Sequence, residues 1–301
     1  MRRFELFEFC DLPSDSPLGW LSDLTTAFLA AAFSLTRWYR VVAAPLAAAL
    51  RRCGTTEVLD LGSGRGGPLP LIAHELSDQH GLPVSIRLSD RRPQIAAWQA
   101  LAQRTQQRRA APFALVFEPQ SVDATAVPPK LPGFRTLFQS FHHLSPPQAQ
   151  AVLQDAVRSH VGIAIFENTH RHAGILLTFL LVPFAVLMFT PFARPFSLRR
   201  LLLTYIVPIA PLVIFWDAVV SCLRSYTPAE LDQLTRALDY PGPRYHWQQG
   251  RAWQGLQCVS WLIGTPQADV VSPHVDVVSP HVDVVSPHVD VASPQDGSAA
   301  A

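Results

Sequence analysis

Four glycines stand within six residues of this chain: Gly62, Gly64, Gly66 and Gly67. They follow the apolar run Val58-Leu59-Asp60-Leu61 and precede Pro68 and the amphipathic stretch Leu69-Pro70-Leu71-Ile72-Ala73-His74-Glu75-Leu76. A strand ending on an acid, a glycine turn and a helix start make a cradle for a nucleotide-like ligand. Glycines let the backbone pass close to the ligand, and the free N–H groups of the first helical turn face it. Pro68 suits that start, because its missing N–H would be unpaired there in any case. The glycines satisfy two templates, G-x-G-x-x-G through Gly62, Gly64 and Gly67, and G-x-G-x-G through Gly62, Gly64 and Gly66. The surrounding acids must therefore choose the ligand. Asp60, just before the glycines, is placed for an ammonium group. Asp90, ending a second strand, is placed for both hydroxyls of a ribose. Asp123-Ala124 follows a third strand, where a carboxylate takes an adenine amino proton. Later strand ends carry His142, His143, Glu167 and His170, the candidates for a proton acceptor. The plainer reading of His142-His143 is a loop pair, one packed and one solvated, and the plainer reading of Glu167 caps a turn or pairs with Arg171.

The elements that must position these residues can be read from periodicity. Residues 1–16 read as a short apolar segment and an irregular Pro/Asp/Ser loop. Helices are predicted over 17–35 and 37–52, the second closing on Arg51, Arg52 and a capping Gly54. From residue 55 strands and helices alternate. Strands are predicted at 57–61, 84–90, 113–117, 134–138 and 161–166, with helices at 68–78, 93–109 and from Pro146 onward, where Ser145 is the cap. A further helix runs from Pro228 to about Asp239. The segments 244–248 and 256–263 form an antiparallel hairpin joined by a short loop around Gly250. Such alternation means an α/β fold with a mostly parallel sheet, helices on both faces, and ligands beyond the carboxyl ends of the strands.

The bulk numbers exclude little but usefully. A net charge of +1 gives no overall field for nucleic acid. The cysteines Cys10, Cys53, Cys222 and Cys258 lie far apart, without C-x-x-C or a metal-ligand spacing, and read as reduced, packed thiols. The acids Glu5 and Glu8 inside Phe4–Phe9 argue against a secretory signal.

With these residues in hand the chain resembles the class I S-adenosylmethionine-dependent methyltransferases, over roughly residues 55–165 and 225–264. The resemblance rests on Glu57-Val58-Leu59-Asp60-Leu61-Gly62-Ser63-Gly64-Arg65-Gly66, on Asp90 and Asp123-Ala124, and on Phe138-Gln139-Ser140-Phe141-His142-His143-Leu144. It implies a Rossmann-like, mostly parallel seven-stranded sheet with a C-terminal antiparallel hairpin, and S-adenosyl-L-methionine as cofactor. Gly62, Ser63 and Gly64 would hold the methionine end, Asp90 the ribose and Asp123 the adenine, with Asp60, Gly66 and Ala124 completing the set. Phe4–Pro13 and the segment from Phe215-Trp216-Asp217 to Tyr226-Thr227-Pro228 resemble a bacterial branch of that family. The glycines alone leave an NAD(P)- or FAD-dependent oxidoreductase open, and a non-catalytic cofactor-binding protein is a further alternative. In a methyltransferase the cofactor brings the activated methyl group, so His142 or His143 would be needed only for an acceptor that must lose a proton.

One stretch is out of line with a plain soluble domain. Ala173–Ala193 and Leu201–Trp216 contain no charged residue, and Arg194, Arg199 and Arg200 lie between them. The first run is long enough for a transmembrane helix, although Pro183 interrupts it. Two crossings would put the arginines on the wrong side for the positive-inside tendency. A hairpin dipping into one leaflet at the cytoplasmic face fits better, and burial over the sheet in a cytoplasmic protein is the alternative. Either way the insertion points to a hydrophobic small-molecule or lipid acceptor. The expected organisation is a helical cap over 1–54, a cofactor domain over 55–167 and 225–264, and the hydrophobic insertion over 168–224. The remainder, 265–301, repeats Asp-Val-Val-Ser-Pro-His-Val; a proline in each unit forbids a coiled coil, so it reads as a disordered tail.

Overall fold

The computed structural model describes residues 2–13, 15–107, 113–171, 179–255 and 257–267. Met1–Ala268 forms one compact unit; the repeat tail lies, from residue 268 on, outside the described residues. The seven strands are β1 (Glu57–Leu61), β2 (Ser85–Ser89), β3 (Ala114–Phe117), β4 (Phe134–Phe138), β5 (Ile163–Glu167), β6 (Tyr245–Gln254) and β7 (Gln257–Pro266). They form one sheet in the order β3-β2-β1-β4-β5-β7-β6. The first five run parallel, while β7 pairs antiparallel with both β5 and β6. This is the Rossmann-like sheet with a C-terminal antiparallel hairpin that the sequence led us to expect. The order reverses between β1 and β4, which opens a crevice at their carboxyl ends.

The helices among the described residues are α1 (Gly19–Thr36), α2 (Ala43–Arg52), α3 (Leu69–His80), α4 (Ile95–Gln107), α5 (Pro146–Arg158), α6 (Val182–Phe189), α7 (Leu198–Tyr205), α8 (Ile209–Arg224) and α9 (Pro228–Arg236). One face of the sheet packs Val58, Ile86 and Phe166 against Leu46, Leu50, Ile72 and Leu76 of α2 and α3, with Trp98 of α4. The other packs Leu59, Leu137 and Ile165 against Val152 and Leu153 of α5 and Leu234 of α9. Strands buried on both faces explain the near-continuous apolar runs of the sequence. Local signals set the helix ends: Gly81 closes α3 in the left-handed region at φ 59°, and capping boxes start α5 (Ser145 with Gln148) and α9 (Thr227 with Glu230).

Two expectations need correction. Gly250 is not in the hairpin loop; it pairs with Trp261 inside β6, and Gly255, at φ 57°, stands where β6 turns into β7. A side chain at Gly250 would collide with the Trp261 indole, so this glycine makes room for an aromatic cross-strand cover. The N-terminal segment is irregular as expected but anchored: Phe4 N–H donates to Leu223 O at 3.1 Å, and a 3-10 turn over Phe9–Asp11 leads toward α1. The expected transmembrane helix is not found: among the described residues no single helix is long and apolar enough to cross a membrane, and only the bent pair α7 and α8 together has that length and composition. Residues 172–178 lie outside the described residues. After them Pro191, Pro195 and Pro208 fall between short helices, and α7 and α8 are bent 80° apart. One side of the insertion packs on α1, with Val186, Ala210, Val213 and Ile214 against Leu21, Leu24 and Phe28.

Candidate functional site

The glycine turn is built by conformational necessity. All four glycines have positive φ: 69° at Gly62, 50° at Gly64, 111° at Gly66 and 52° at Gly67. A side chain at Gly66 would lie 2.5 Å from Leu101 Cδ2, so α4 is packed directly beneath the turn. A Cβ at Gly64 would meet nothing within 4 Å, which is the open side a ligand can use. Trp98 of α4 donates from Nε1 to Gly64 O at 2.9 Å and pins the turn from below. Ser63 is spent on the frame. Its hydroxyl donates to Asp60 O at 3.1 Å and accepts from Ser89 N–H at 3.2 Å. Its own N–H donates to Ser89 O at 3.0 Å, and its carbonyl accepts from Gly66 N–H at 2.8 Å.

Two of the acids converge on this turn. Asp60 is buried, and its Oδ1 accepts from Thr136 Oγ1 of β4 at 2.7 Å. Burial pushes its carboxyl up to about 7 against the pull of the Ser63 and Thr136 hydrogen bonds. Asp90 accepts from Gly64 N–H at 2.8 Å and from Arg92 N–H at 2.8 Å. Burial raises its pKa, partly offset by those bonds. Asp123 is exposed; one of its oxygens caps its own turn by accepting from Thr125 N–H at 2.9 Å and Thr125 Oγ1 at 2.7 Å, which lowers its pKa. Val122 N–H donates to Asp90 O at 3.0 Å and holds this turn to the end of β2, while Ala124 packs against the core below. Opposite Gly62 lies Ser140, whose hydroxyl is buried without a hydrogen-bond partner. A cleft of about 400 Å³ lies on the α4 side of the turn, lined by Gly66 and Gly67, by Ala97 and Leu101, and by Phe192 and Pro195 of the insertion.

Beyond the carboxyl ends of β4 and β5 lies a second polar assembly. His142 Nδ1 is 2.7 Å from Glu167 Oε2, and Glu167 Oε1 accepts from Phe141 N–H at 2.8 Å. Burial works against the Glu167 charge, but the histidines and this amide hold its pKa below the usual value. Glu167 therefore pairs with His142, and Arg171 pairs instead with Glu230. His142 is 1 % exposed and Glu8 0 %, so the N-terminal segment lies over the imidazole. Glu8 accepts from Cys10 Sγ at 3.2 Å and Ser221 Oγ at 3.1 Å. Burial, with the Glu8 and Asp217 charges, raises the Cys10 thiol well above its ordinary value. His143 Nδ1 lies 3.0 Å from Asp11 Oδ1. Burial disfavours its cation, but Glu8 and Asp11 outweigh that and push it up to about 8. Arg224 binds Asp11 Oδ2 at 2.8 Å and His143 O at 2.6 Å. Arg3 donates to Leu144 O at 2.7 Å and covers the Tyr226 ring at 4.6 Å. Asp217 accepts from Phe9 N–H at 2.7 Å and Thr25 Oγ1 at 2.8 Å. His170 turns away, its Nε2 lying 3.1 Å from Cys258 O.

The structure thus brings Asp60, Asp90 and the glycines together, sets Asp123 at the rim, and puts His142 and His143 into a separate, covered cluster. Sequence reasoning missed Thr136, Trp98 and Ser140 of the first site, and Glu8, Cys10, Asp11 and Arg224 of the second. The acids inside Phe4–Phe9 were the available signal, since an acid in an apolar stretch needs a buried partner.

No family model matches the chain, and no curated protein does. Among solved structures it is similar to the plantazolicin methyltransferase in complex with SAH, at 11% identity and TM-score 0.46, covering 84% of this chain and 92% of that one. It is similar to the methyltransferase domain of a bacterial Hen1, at 11% identity and TM-score 0.43, covering 75% and 98%. A crystal structure titled as a putative Zn-dependent alcohol dehydrogenase from Rhodobacter sphaeroides also matches, at 12% identity and TM-score 0.39, covering 71% and 85%. At such identities and scores these likenesses decide nothing about activity, and the site's own residues must carry it.

Proposed function

We propose that the chain is an S-adenosylmethionine-dependent methyltransferase whose acceptor is a hydrophobic molecule met at a membrane surface. The observation that carries the cofactor half is the coincidence at one turn of four positive-φ glycines with two acids, Asp60 buried beneath it and Asp90 bound to Gly64 N–H. The residues fit such a cofactor. Asp60 is a buried carboxyl with no cationic partner among the described residues, which an ammonium group would complete. Each Asp90 oxygen already takes one backbone N–H and keeps a lone pair for a ribose hydroxyl. The buried Ser140 hydroxyl faces Gly62 and offers one more donor at the methionine end. Asp123 keeps its second oxygen for an adenine amino group.

When bound, the cofactor supplies a methyl group already activated on a sulfonium, so the chain's task is alignment. Thr136 and Ser63 fix Asp60, Trp98 and Leu101 fix the glycine turn, and Asp90 ties that turn to β2. We assign no base: His142 Nδ1 is taken up by Glu167, and its Nε2 faces Glu8 at 4.0 Å under the N-terminal segment.

The insertion supports the acceptor half. Its inner side packs on α1, and its outer side leaves large apolar residues exposed, from Leu187 at 37% to Ile206 at 72%, with Phe184, Met188, Phe196 and Leu212 among them. So much contiguous exposed apolar surface marks an interaction site. No acid occurs between Asn168 and Trp216, and Arg194 and Arg199 are exposed among these residues, which suits an anionic lipid surface. The test is turnover of methyl-labelled cofactor on fractionated membrane extract. Label entering an apolar lipid fraction is expected; label entering only water-soluble material would sink the acceptor reading.

A further inference from the structure

The second polar assembly contains more buried electron-rich atoms than its hydrogen bonds satisfy. Glu8 Oε1, His142 Nε2 and His143 Nδ1 are buried without a well-formed hydrogen bond, their charged neighbours being Arg224 at 3.5 Å from Glu8 Oε1 and Asp11 at 3.0 Å from His143 Nδ1. His142 Nδ1 lies 2.7 Å from Glu167 Oε2, and its orphaned Nε2 faces the Glu8 carboxylate at 4.0 Å. Buried polar atoms left without hydrogen bonds call for a further partner. The donor atoms of Glu8, Cys10 and His143 all lie within 4.8 Å of one another. Glu8 Oε2 is 3.2 Å from Cys10 Sγ and 3.7 Å from His143 Nδ1. Ligands at ordinary zinc distances stand roughly 3.3–3.7 Å apart in a tetrahedron, so this trio needs little movement to close on one ion.

We propose that Glu8, Cys10 and His143 form a divalent-metal site of the zinc class, with His142 Nε2 beside Glu8 as the nearest further donor. The chemistry of the set favours a borderline-soft ion, since thiolate and imidazole select zinc over magnesium or calcium. On binding, the Sγ–H bond breaks, its electron pair forms the metal–sulfur bond, and the proton leaves to solvent. Carboxylate and thiolate then match the charge of the ion, while Arg224 stays with Asp11. Glu167 behind His142 gives the carboxylate–histidine arrangement common behind metal ligands. The ion would staple the N-terminal segment, which supplies Glu8 and Cys10, to the turn after β4, which supplies His143. This site is independent of the methyl-transfer proposal.

The test is titration of the metal-free full-length protein with Co²⁺. One ion per chain is expected, with a near-ultraviolet thiolate-to-cobalt charge-transfer band and tetrahedral visible bands. Cys10→Ser should remove the charge-transfer band and Cys258→Ser should leave it. His143→Gln should weaken the affinity at least tenfold. Should Cys10→Ser fail to fold, the zinc content of the purified wild-type and His143→Gln proteins decides instead, with a clear loss expected in the variant. Absence of binding at equimolar cobalt, a band surviving Cys10→Ser, or equal zinc contents would overturn the site.

Discussion

The glycine turn and the covered cluster stand at the carboxyl ends of the same sheet, yet they are assembled in opposite ways. The first takes most of its residues from one stretch, Asp60 to Pro68, with single contributions from Ser89, Asp90, Trp98 and Thr136. The second is drawn from segments far apart in the chain: Arg3 to Asp11, His142-His143, Glu167, and Asp217 to Tyr226. The turn satisfies its backbone and leaves room on its open side. The cluster fills its space with charge and leaves donor atoms unmet. A binding cradle is thus a local conformational demand, whereas the cluster is a long-range electrostatic one, and the two should fail differently.

The largest effect is expected where the cluster loses its counter-charge. Arg224→Met would take the guanidinium from the buried Glu8 and the part-exposed Asp11, leaving only His143 beside them, and stripping a partner from a buried charge costs up to about 3–5 kcal/mol. Denaturant unfolding should show that loss, and hydrogen exchange should rise first in residues 2–13; a loss below about 1 kcal/mol would mean the N-terminal segment is not held by these charges. At the turn the effect should fall on binding instead. Asp90→Ala removes a charged hydrogen-bond acceptor, and affinity for S-adenosylhomocysteine should drop roughly 10- to 100-fold with folding retained. Unchanged affinity would dismiss the ribose contact.

How far each region was legible in the sequence follows from the same contrast. Gly62 to Gly67 announce themselves because only glycine takes those φ values freely, and β1 to β5 announce themselves by apolar runs between turn signals. Asp90 was found because strand ends are countable. Thr136 was not, since a threonine in a buried strand looks like any other β-former. The partners of Glu8 were invisible, because nothing local connects residue 8 with residues 143 and 224. Gly250 misled for a related reason: a glycine reads as a turn unless the indole that covers it from the next strand is known. The insertion was read from hydropathy alone, which cannot tell that one face of α8 is buried on α1 while Leu212 and Trp216 stay outside.

A subtler contrast concerns pH. The Asp60 carboxyl titrates in the folded protein at about 7, well above its unfolded value, so its ionised form costs the fold stability from about pH 4 upward. A cationic group bound beside it would lower that pKa and release a proton. Cofactor affinity should then rise with pH up to about 7, by up to about tenfold per unit, and level off above it, and Asp60→Asn should abolish the slope. A flat profile in the wild-type protein would mean the ammonium lies elsewhere. The insertion offers a check of similar size: replacing Phe184, Ile206 and Leu212 together by Ser should reduce co-flotation with anionic liposomes without lowering the melting temperature, because all three are outside the core. Full flotation of the triple variant would remove the membrane reading. The smallest effect belongs to Gly64→Ala, where the side chain meets no atom but the left-handed backbone costs about 1–2 kcal/mol.

The claim that the turn holds S-adenosylmethionine is tested most directly by calorimetric titration of the full-length protein with S-adenosylhomocysteine and, in parallel, with NAD. The geometry predicts stoichiometric binding of the first, weakened in Asp90→Ala, and no measurable heat with the second. Saturable binding of NAD with none of S-adenosylhomocysteine would contradict it.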